Sequence, residues 1–282
     1  YRRQRHVCIR DSYYQLANDR GVNAIHDLMK PLGFGQVTGV DIPGETRGVL
    51  PSTDWKRATY KRPEQQKWYG GETISLGIGQ GYNNFTMLQL ANATATLAAG
   101  GVHHVPHLVK ARQDPLSLQF KDLPLAPPEN LGYKPENVAA VKRGMVGVTQ
   151  EGTSRGVMAG AAYLSGGKTG TAQAVTIGQK SRYNARKLEE HQRDHSLYIA
   201  FAPVEQPRIA LAVVVENAGF GAASAAPVAR RVCDFLRRDQ YPNPEDLAAG
   251  QKGEASAPIG TPLKASSLPW PQEDVTTPAP QK

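Results

Sequence analysis

The sequence predicts an α/β protein of the α+β type, in which helices pack around a sheet built from consecutive strands. Apolar residues spaced three and four apart indicate four helices in separate segments of the first 150 residues. Three strand patterns then follow one another between residues 167 and 216, and a final helical pattern closes this region. The short turn over residues 201–207 joins the last two strands into a hairpin, so those strands are predicted to be antiparallel.

Two short helices are predicted near the start of the chain. The first begins near Tyr13, and the second begins at Asn23 and ends before Pro31, whose ring and missing N–H disfavour a continued helix. Residues 1–12 are basic and carry no apolar period, so they are treated as an atypical basic head. Residues 33–70 are rich in glycine, proline and charge, which predicts a long irregular excursion.

Three longer helices follow. Thr86 caps the first, which the pair Gly100-Gly101 ends, and a second runs from Pro135 to about residue 148. The last covers about residues 224–238, and its arginines are predicted to form a solvated outer face. Its inward face is predicted to consist of its larger apolar residues, namely Val228, Val232, Phe235 and Leu236.

The three strands are predicted over residues 167–175, 195–202 and 208–216. The third is apolar at nearly every position, which predicts a strand buried on both faces or nearly so. Residues 241–282 are rich in proline and small polar residues, which predicts a disordered tail.

Composition excludes several classes of protein. The net charge of +8 comes from scattered basic residues, which disfavours nucleic-acid binding. No apolar run reaches the ~18 residues of a membrane span, and no signal-peptide core opens the chain. The chain begins without methionine, so we expect a fragment or a processed piece. Two cysteines, Cys8 and Cys233, are too few for a disulfide framework.

Weaker signals do not predict a cofactor or a metal. The glycines of residues 72–81 lack the surrounding βαβ pattern of a dinucleotide site. A histidine cluster lies in a loop without carboxylate or cysteine at ligand spacing: His103, His104 and His107. His195 beside Asp194 could be a catalytic base, although a structural role is preferred. The basic and aromatic residues between Trp55 and Tyr69 predict a loop that faces a glycan or a partner.

The sharpest chemical signal is Lys168-Thr169-Gly170-Thr171 on the first predicted strand. A strand carrying a lysine charge, two hydroxyls and a glycine suits an extended peptide that ends in a carboxylate. The alternative interpretation is an ordinary strand that glycine interrupts and that carries a surface lysine, since such a strand would contain the same residues. A Lys-Thr-Gly triplet is also one of three signatures of serine acyl-transferases that react with penicillin.

Beyond that triplet, the chain resembles the class B penicillin-binding proteins, specifically the cell-elongation transpeptidases, over roughly residues 13–240. The resemblance is carried by segments in the same order: Tyr14-Gln-Leu-Ala17, Gly39-Val-Asp-Ile-Pro-Gly44, Ser75-Leu-Gly-Ile-Gly-Gln-Gly-Tyr82, Thr86-Met-Leu-Gln-Leu90, Gly166-Gly-Lys-Thr-Gly-Thr-Ala-Gln173, Asp194-His-Ser-Leu-Tyr-Ile-Ala-Phe-Ala-Pro203 and Val214-Val-Glu-Asn217. It implies the penicillin-binding and serine β-lactamase-like transpeptidase fold, an antiparallel sheet flanked by helices, here expected to be truncated at the N-terminus.

The resemblance also implies a function. The substrate would be the D-Ala-D-Ala stem peptide of peptidoglycan, cross-linked through an acyl-serine intermediate, with β-lactam antibiotics as inhibitors and without a metal or organic cofactor. Lys168 would serve electrostatics and proton transfer, Thr169, Gly170 and Thr171 would bind the substrate, and the Thr171 backbone N–H would donate in the oxyanion hole. The full-length protein would sit on the periplasmic face of the bacterial inner membrane with cell-elongation membrane proteins as partners.

Two sequence motifs of that family are not found in this sequence in the expected form. The one Ser-x-x-Lys match is Ser165-Gly-Gly-Lys168, which overlaps the strand motif and lacks helical geometry. The expected Ser-x-Asn or Ser-x-Asp aligns with Cys8 and Arg10, neither of which fits. We therefore expect a chain that lacks its nucleophile and is inactive alone, from a truncated gene or a disrupted reading frame.

Alternative interpretations follow from those departures. The chain could be a catalytically dead remnant that binds peptidoglycan or a partner, or it could be related to a D,D-carboxypeptidase or a serine β-lactamase. The strands that precede the nucleophile helix in the family would also be missing. An unpaired sheet edge is therefore expected, together with poor solubility or a partly molten state.

Overall fold

The computed structural model describes residues 2–172, 189–254 and 256–269, and its elements are numbered here in chain order. The helices are α1 (Arg2–Met29), α2 (Thr53–Thr59), α3 (Pro63–Gln66), α4 (Gly70–Leu76), α5 (Met87–Ala98), α6 (Pro135–Gln150), α7 (Arg155–Met158), α8 (Ala225–Arg238) and α9 (Pro244–Gln251). The strands are β1 (Val102–His103), β2 (Ala111–Gln113), β3 (Phe120–Asp122), β4 (Glu129–Asn130), β5 (Gly166–Ala172), β6 (His195–Ala202), β7 (Ile209–Val215), β8 (Gln240–Tyr241) and β9 (Leu263–Lys264).

The main sheet has the strand order β5-β6-β7 and is antiparallel throughout. The predicted hairpin is confirmed, since β6 and β7 pair from Ser196 opposite Val215 to Ala202 opposite Ile209. Strand β5 pairs with the other edge of β6, which places Lys168 opposite Ile199 and Thr171 opposite Ser196. The predicted first strand ran to residue 175, and its positions from 173 onward lie outside the described residues.

Helices cover both faces of this sheet, so the described chain forms three layers. Helices α7 and α8 pack on one face, where Tyr198 and Ala200 are fully buried against the alanines of α8. Helices α5 and α6 pack on the other face, where Phe201 lies between Ala98 and Met145. The alternation of side chains along β6 therefore supplies both hydrophobic cores.

Helix α1 combines the two helices predicted before residue 31. Gly21 interrupts it with φ 75° and ψ 164°, a backbone conformation that glycine adopts without a Cβ clash. The helix also includes residues 2–12, for which the sequence has no apolar period.

The prediction of an irregular excursion over residues 33–70 was wrong in part, because this segment contains helices α2 and α3. The Ser52 side chain accepts a hydrogen bond from the Trp55 N–H and so caps α2. The glycine-rich stretch that follows is helical in its first part as well, since α4 ends only at Leu76. Short helices with one capped turn carry too little apolar period to be visible in the sequence.

The predicted orientation of helix α8 was wrong. Small residues face the sheet, since Ala225, Ala226 and Ala229 are fully buried, while Val228 is 44% and Leu236 is 57% exposed. Arginine also turns inward: Arg230 is buried and its Nε donates to Asp234 Oδ2 over 2.7 Å. Close packing on the sheet selects the alanine face, and the ion pair compensates the arginine charge.

Strand β7 is less buried than predicted. Six of its seven residues are half-buried and Val214 is 38% exposed. Its inner edge pairs with β6, and no strand among the described residues pairs with its outer edge. The apolar sequence of β7 therefore lies beside unpaired backbone groups.

The prediction of disorder from residue 241 was wrong for the described part of that segment. Helix α9 lies there, and Tyr241 pairs with Leu263 in the β8–β9 ladder. Asp246 is almost fully buried, and both its carboxylate oxygens accept hydrogen bonds from the Arg231 guanidinium. One buried ion pair thus anchors a segment whose composition alone predicts no core. Residues 270–282 lie outside the described part, and the domain limits of 13 and 240 stay predictions.

Within the part of the chain that the structure describes, no helix combines the length and the apolar character needed to cross a membrane.

Lysine at position 214 tests the unpaired edge of β7. We expect the wild-type chain to self-associate as its concentration rises, and Val214→Lys to reduce this association, because a charge on an edge strand opposes pairing with another strand. Val109→Lys is the matched control, since Val109 is also 38% exposed but lies outside the sheet. Sedimentation velocity over a concentration series measures the effect. Equal association of the two variants, or a monomeric wild type throughout, would contradict the expectation.

Candidate active-site cleft

A cleft of about 680 Å³ lies at the β5 edge of the sheet. Its strand wall is the segment from Lys168 to Thr171, and its loop wall is the segment from Phe220 to Ala222 before α8. A third wall, which we call the helical wall, comes from α1 and from the loop after α4. The helical wall consists of Tyr14, Ile78 and Gln80.

Strand β5 borders this cleft because it is an edge strand of the sheet. One edge of β5 pairs with β6, and no strand among the described residues pairs with the other edge. In an antiparallel ladder, alternate residues direct their N–H and C=O groups away from the neighbouring strand. The free edge of β5 can therefore accept an extended peptide as an additional strand. The cleft follows this edge, so residues from both faces of the strand reach it.

The Lys168 side chain is the cationic group of the strand wall. It is exposed as a residue, and its Nζ donates to the Thr169 carbonyl oxygen over 2.6 Å. Loss of water around the ammonium group lowers the pKa of Lys168 below the usual value of a lysine. In its ammonium form the group is a hydrogen-bond donor that can meet an anion at the strand edge.

Two hydroxyl groups join the strand wall to the end of helix α6. The Thr169 Oγ1 lies 3.1 Å from the Oγ1 of Thr153, which also lines the cleft. Thr153 stands next to Ser154, whose Oγ accepts a hydrogen bond from the Tyr198 hydroxyl in the core. The sheet core thereby holds the turn that presents Thr153 to Thr169.

The loop wall lies directly against the sheet, and a glycine permits this. A Cβ at position 221 would lie 2.3 Å from the Leu197 carbonyl oxygen and 2.6 Å from that of Gly170. The same loop is fixed by Ser196, whose Oγ donates to the Phe220 carbonyl oxygen over 3.0 Å and accepts from the Ala225 N–H. The Phe220 backbone is therefore fixed beside the cleft, while the residue itself is 72% exposed.

The structure brings together all the residues that the sequence singled out on the strand, namely Lys168, Thr169, Gly170 and Thr171. Sequence reasoning missed the other walls. Tyr14 and Gln80 lie in segments that carried the family resemblance, so a signal existed for them. Thr153 and Phe220 had no local signal, because only the packing of α6, α7 and the loop before α8 brings them to β5.

Other candidate residues lie away from the cleft. Ser165 is buried and is absent from the cleft lining, so it does not form a nucleophile pair with Lys168. The Nδ1 atom of His195 accepts the Asn217 N–H over 3.0 Å and so holds the loop after β7. His103 contacts the Thr96 hydroxyl, and the described residues contain no group of three or more potential metal-ligating His, Cys, Asp or Glu side chains.

One lysine of the predicted basic and aromatic loop lies in an internal cluster, whereas the loop's other basic residues are exposed. Lys56 is only 3% exposed and contacts Glu72 and three aromatic rings. Its charge therefore faces inward, which corrects the prediction for Lys56. Arg57, Lys61 and Lys67 are exposed, and for the rest of the loop a surface that faces a glycan or a partner stays a prediction.

The chain matches the penicillin binding protein transpeptidase domain over residues 12–234. It belongs to this family of transpeptidase domains. The curated relatives include the peptidoglycan D,D-transpeptidase MrdA of Haemophilus influenzae, 39% identical over 235 residues, which cover 83% of this chain and 35% of the relative. The MrdA protein of Acinetobacter baumannii is 37% identical over 286 residues, which cover 95% of this chain and 42% of that protein. The chain thus spans 35–42% of the length of these two relatives.

Solved structures of the family share the fold. Pseudomonas aeruginosa PBP2, solved in complex with WCK 5153, is 40% identical with a TM-score of 0.63, covering 81% of this chain and 45% of that one. Helicobacter pylori PBP2, solved in complex with MreC, is 26% identical with a TM-score of 0.59, covering 73% of this chain and 34% of that one. The penicillin-binding transpeptidase fold predicted from the sequence is confirmed.

An alanine at position 221 tests the contact between the loop wall and the sheet. We expect Gly221→Ala to lower the free energy of unfolding by roughly 1–3 kcal/mol, since the new methyl group overlaps two carbonyl oxygens. Gly156→Ala in α7 is the control, because its Cβ would meet no atom within 4 Å. The control is expected to unfold at the same temperature as the wild type or at a slightly higher temperature. Thermal unfolding of the three proteins measures both, and a Gly221→Ala chain as stable as the wild type would contradict the described contact.

Proposed function

We propose that this chain is part of a peptidoglycan D,D-transpeptidase and supplies the substrate-binding strand of its active site. The observation that carries the proposal is the position of Lys168–Thr171 on the open edge of β5, inside a cleft of a transpeptidase-family domain. The substrate is the D-Ala-D-Ala end of a stem peptide, which lies along β5 as an added strand.

Each group on the strand has a role in that proposal. The Thr169 and Thr171 hydroxyls donate to the terminal carboxylate, Lys168 contributes positive charge and proton transfer, and Gly170 leaves room for the peptide backbone. The Thr171 backbone N–H is one of two oxyanion-hole donors, and a single such donor lowers the barrier by about 3 kcal/mol. No metal or organic cofactor enters the reaction.

The reaction proceeds in two acyl transfers. A serine hydroxyl oxygen attacks the carbonyl carbon of the penultimate D-Ala, the peptide bond breaks, and the terminal D-Ala leaves with the proton. The amine of a neighbouring stem peptide then attacks the acyl-serine ester, which forms the cross-link and returns the serine. We assign that serine to none of the 282 residues, because the one Ser-x-x-Lys pair has its serine buried outside the cleft.

For the whole protein we propose a setting that its relatives support. β-Lactam antibiotics would occupy the same cleft as mimics of the D-Ala-D-Ala end. A PBP2 of Helicobacter pylori has been solved with MreC, which supports cell-elongation membrane proteins as partners of the full-length protein. Its location would be the periplasmic face of the bacterial inner membrane, and its role would be cell-wall synthesis during elongation.

A second candidate function is binding without catalysis. The buried position of Ser165 favours it for this chain alone, since the cleft walls are present without a serine and lysine pair of helical geometry. Such a chain would hold a stem peptide or a partner and would not form an acyl intermediate.

A peptide probe tests the binding role of the cleft. We expect N,N-diacetyl-L-Lys-D-Ala-D-Ala to bind the chain and the same peptide with a C-terminal amide to bind at least about tenfold more weakly, because charge-assisted hydrogen bonds to the carboxylate are lost. Lys168→Met is expected to weaken binding of the carboxylate form selectively. Titration calorimetry or NMR line shifts measure the affinities.

The same probe gives a pH dependence with a defined sign. The ammonium of Lys168 is charged below its pKa, so affinity is full well below that pKa and falls as the pH rises through it. Because the pKa of Lys168 is lowered, the fall begins below the ~10.4 of an ordinary lysine. Equal affinity for the acid and the amide, or no change on Lys168→Met, would contradict the proposal.

A further inference from the structure

A buried lysine stands at the centre of an aromatic cluster beside the cleft. Lys56 is 3% exposed, its Nζ donates to the Lys67 carbonyl oxygen over 2.8 Å, and it forms an ion pair with Glu72. Three rings surround the ammonium group at 5.3–5.6 Å from their centroids, those of Trp68, Tyr69 and Tyr82. A lysine charge taken out of water in this way needs a fixed partner.

Glu72 is that partner, and it connects Lys56 to two further donors. Its carboxylate accepts the Tyr82 hydroxyl and the Tyr69 N–H, each over 2.9 Å. Burial alone would raise the pKa of Glu72, but the hydrogen bonds from Lys56, Tyr69 and Tyr82 together lower it, so the carboxylate stays ionised. Burial and the neighbouring carboxylate raise the pKa of Tyr82, which keeps its hydroxyl as a donor.

The bond between Glu72 and Tyr82 closes a glycine-rich loop. The intervening residues 77–81 include three glycines, and Gly79 and Gly81 have φ of 77° and 75°. Glycine in that region of φ leaves a loop many conformations unless contacts select one. Tyr82 follows the last residue of the loop. The hydrogen bond from its hydroxyl to Glu72 in α4 therefore fixes the position of the loop's C-terminal end. We call Lys56, Glu72 and Tyr82 the brace.

The residue presented by this loop is Gln80. Its backbone is held on both sides, because its N–H donates to the Ser75 carbonyl oxygen over 3.0 Å and its carbonyl accepts from Asn83 Nδ2 over 3.2 Å. Gln80 lines the cleft beside Ile78 in the helical wall. A glutamine amide can donate and accept at once, which matches the C=O and N–H of a peptide bond.

We propose that Gln80 contacts the backbone of the substrate peptide from the helical wall, and that the brace of Lys56, Glu72 and Tyr82 holds Gln80 there. This rests on the proposed function for the identity of the ligand. Gln80 acts as a specificity-determining residue that favours a peptide over another carboxylate. Lys56, Glu72 and Tyr82 are positioning residues, since none of them lines the cleft.

Tyr82→Phe tests the brace with the least disturbance, since it keeps the ring over Lys56 and removes only the hydroxyl. Tyr69→Phe is the matched control: it removes a hydroxyl from the same cluster and keeps the Tyr69 N–H that Glu72 accepts. We expect amide hydrogen exchange of residues 77–81 to accelerate about tenfold in Tyr82→Phe, with exchange in β6 unchanged. Tyr69→Phe is expected to exchange like the wild type.

Affinity measurements separate positioning from general stability. For the peptide N,N-diacetyl-L-Lys-D-Ala-D-Ala, we expect Gln80→Ala and Tyr82→Phe each to weaken binding about fivefold, the loss of roughly one hydrogen bond. Acetate has a carboxylate but no peptide bond, so it can bind the strand wall without contacting Gln80. We expect its affinity for both variants to equal that for the wild type within experimental error. A purely structural role for Tyr82 would instead weaken both ligands together with a fall in thermal stability.

The outcomes distinguish this inference from the proposed function. Unchanged loop exchange in Tyr82→Phe would overturn the brace whether or not the peptide binds. Unchanged peptide affinity in Gln80→Ala, with wild-type binding intact, would overturn the role of Gln80. A peptide that fails to bind the wild type refutes the proposed function and, with it, the ligand assigned to Gln80.

Discussion

The antiparallel ladder between β5 and β6 is the contact on which the cleft depends. It sets Gly170 opposite Leu197 and Thr171 opposite Ser196. Strand β5 is an edge strand of the sheet. One of its edges pairs with β6 over seven residue pairs, and the other edge faces the cleft. A shift of one residue would turn every side chain of β5 to the opposite face, so this register places the functional groups as a set.

Strand β6 transmits the same constraint to the rest of the site. Ser196 holds the Phe220 loop and the start of α8, and Tyr198 holds Ser154 next to Thr153. The side chains of Ser196 and Tyr198 are fully buried on the α8 face of the sheet. Two of the three cleft walls are therefore fixed by one strand, while the helical wall depends on α1 and on the loop after α4.

A feature of this structure could be predicted from the sequence where the residues that produce it lie close together in the chain. The β6–β7 hairpin and the motif Lys168–Thr171 carry local patterns, and the structure has both. The inward face of α8 could not be predicted from hydrophobicity, since the buried arginine Arg230 is compensated by Asp234 and the large apolar residues face outward. Asp246 anchors α9 through Arg231, a contact between distant parts of the chain that composition does not encode. The brace around Lys56 was visible only as a basic and aromatic composition.

We propose that these 282 residues contain the substrate strand of a penicillin-binding transpeptidase without its nucleophile. Intact-mass analysis of the purified chain after incubation with penicillin tests this proposal most directly. We expect no covalent adduct, because Ser165 is buried and does not line the cleft that holds Lys168–Thr171. A stoichiometric adduct that maps to a serine of this chain would contradict it.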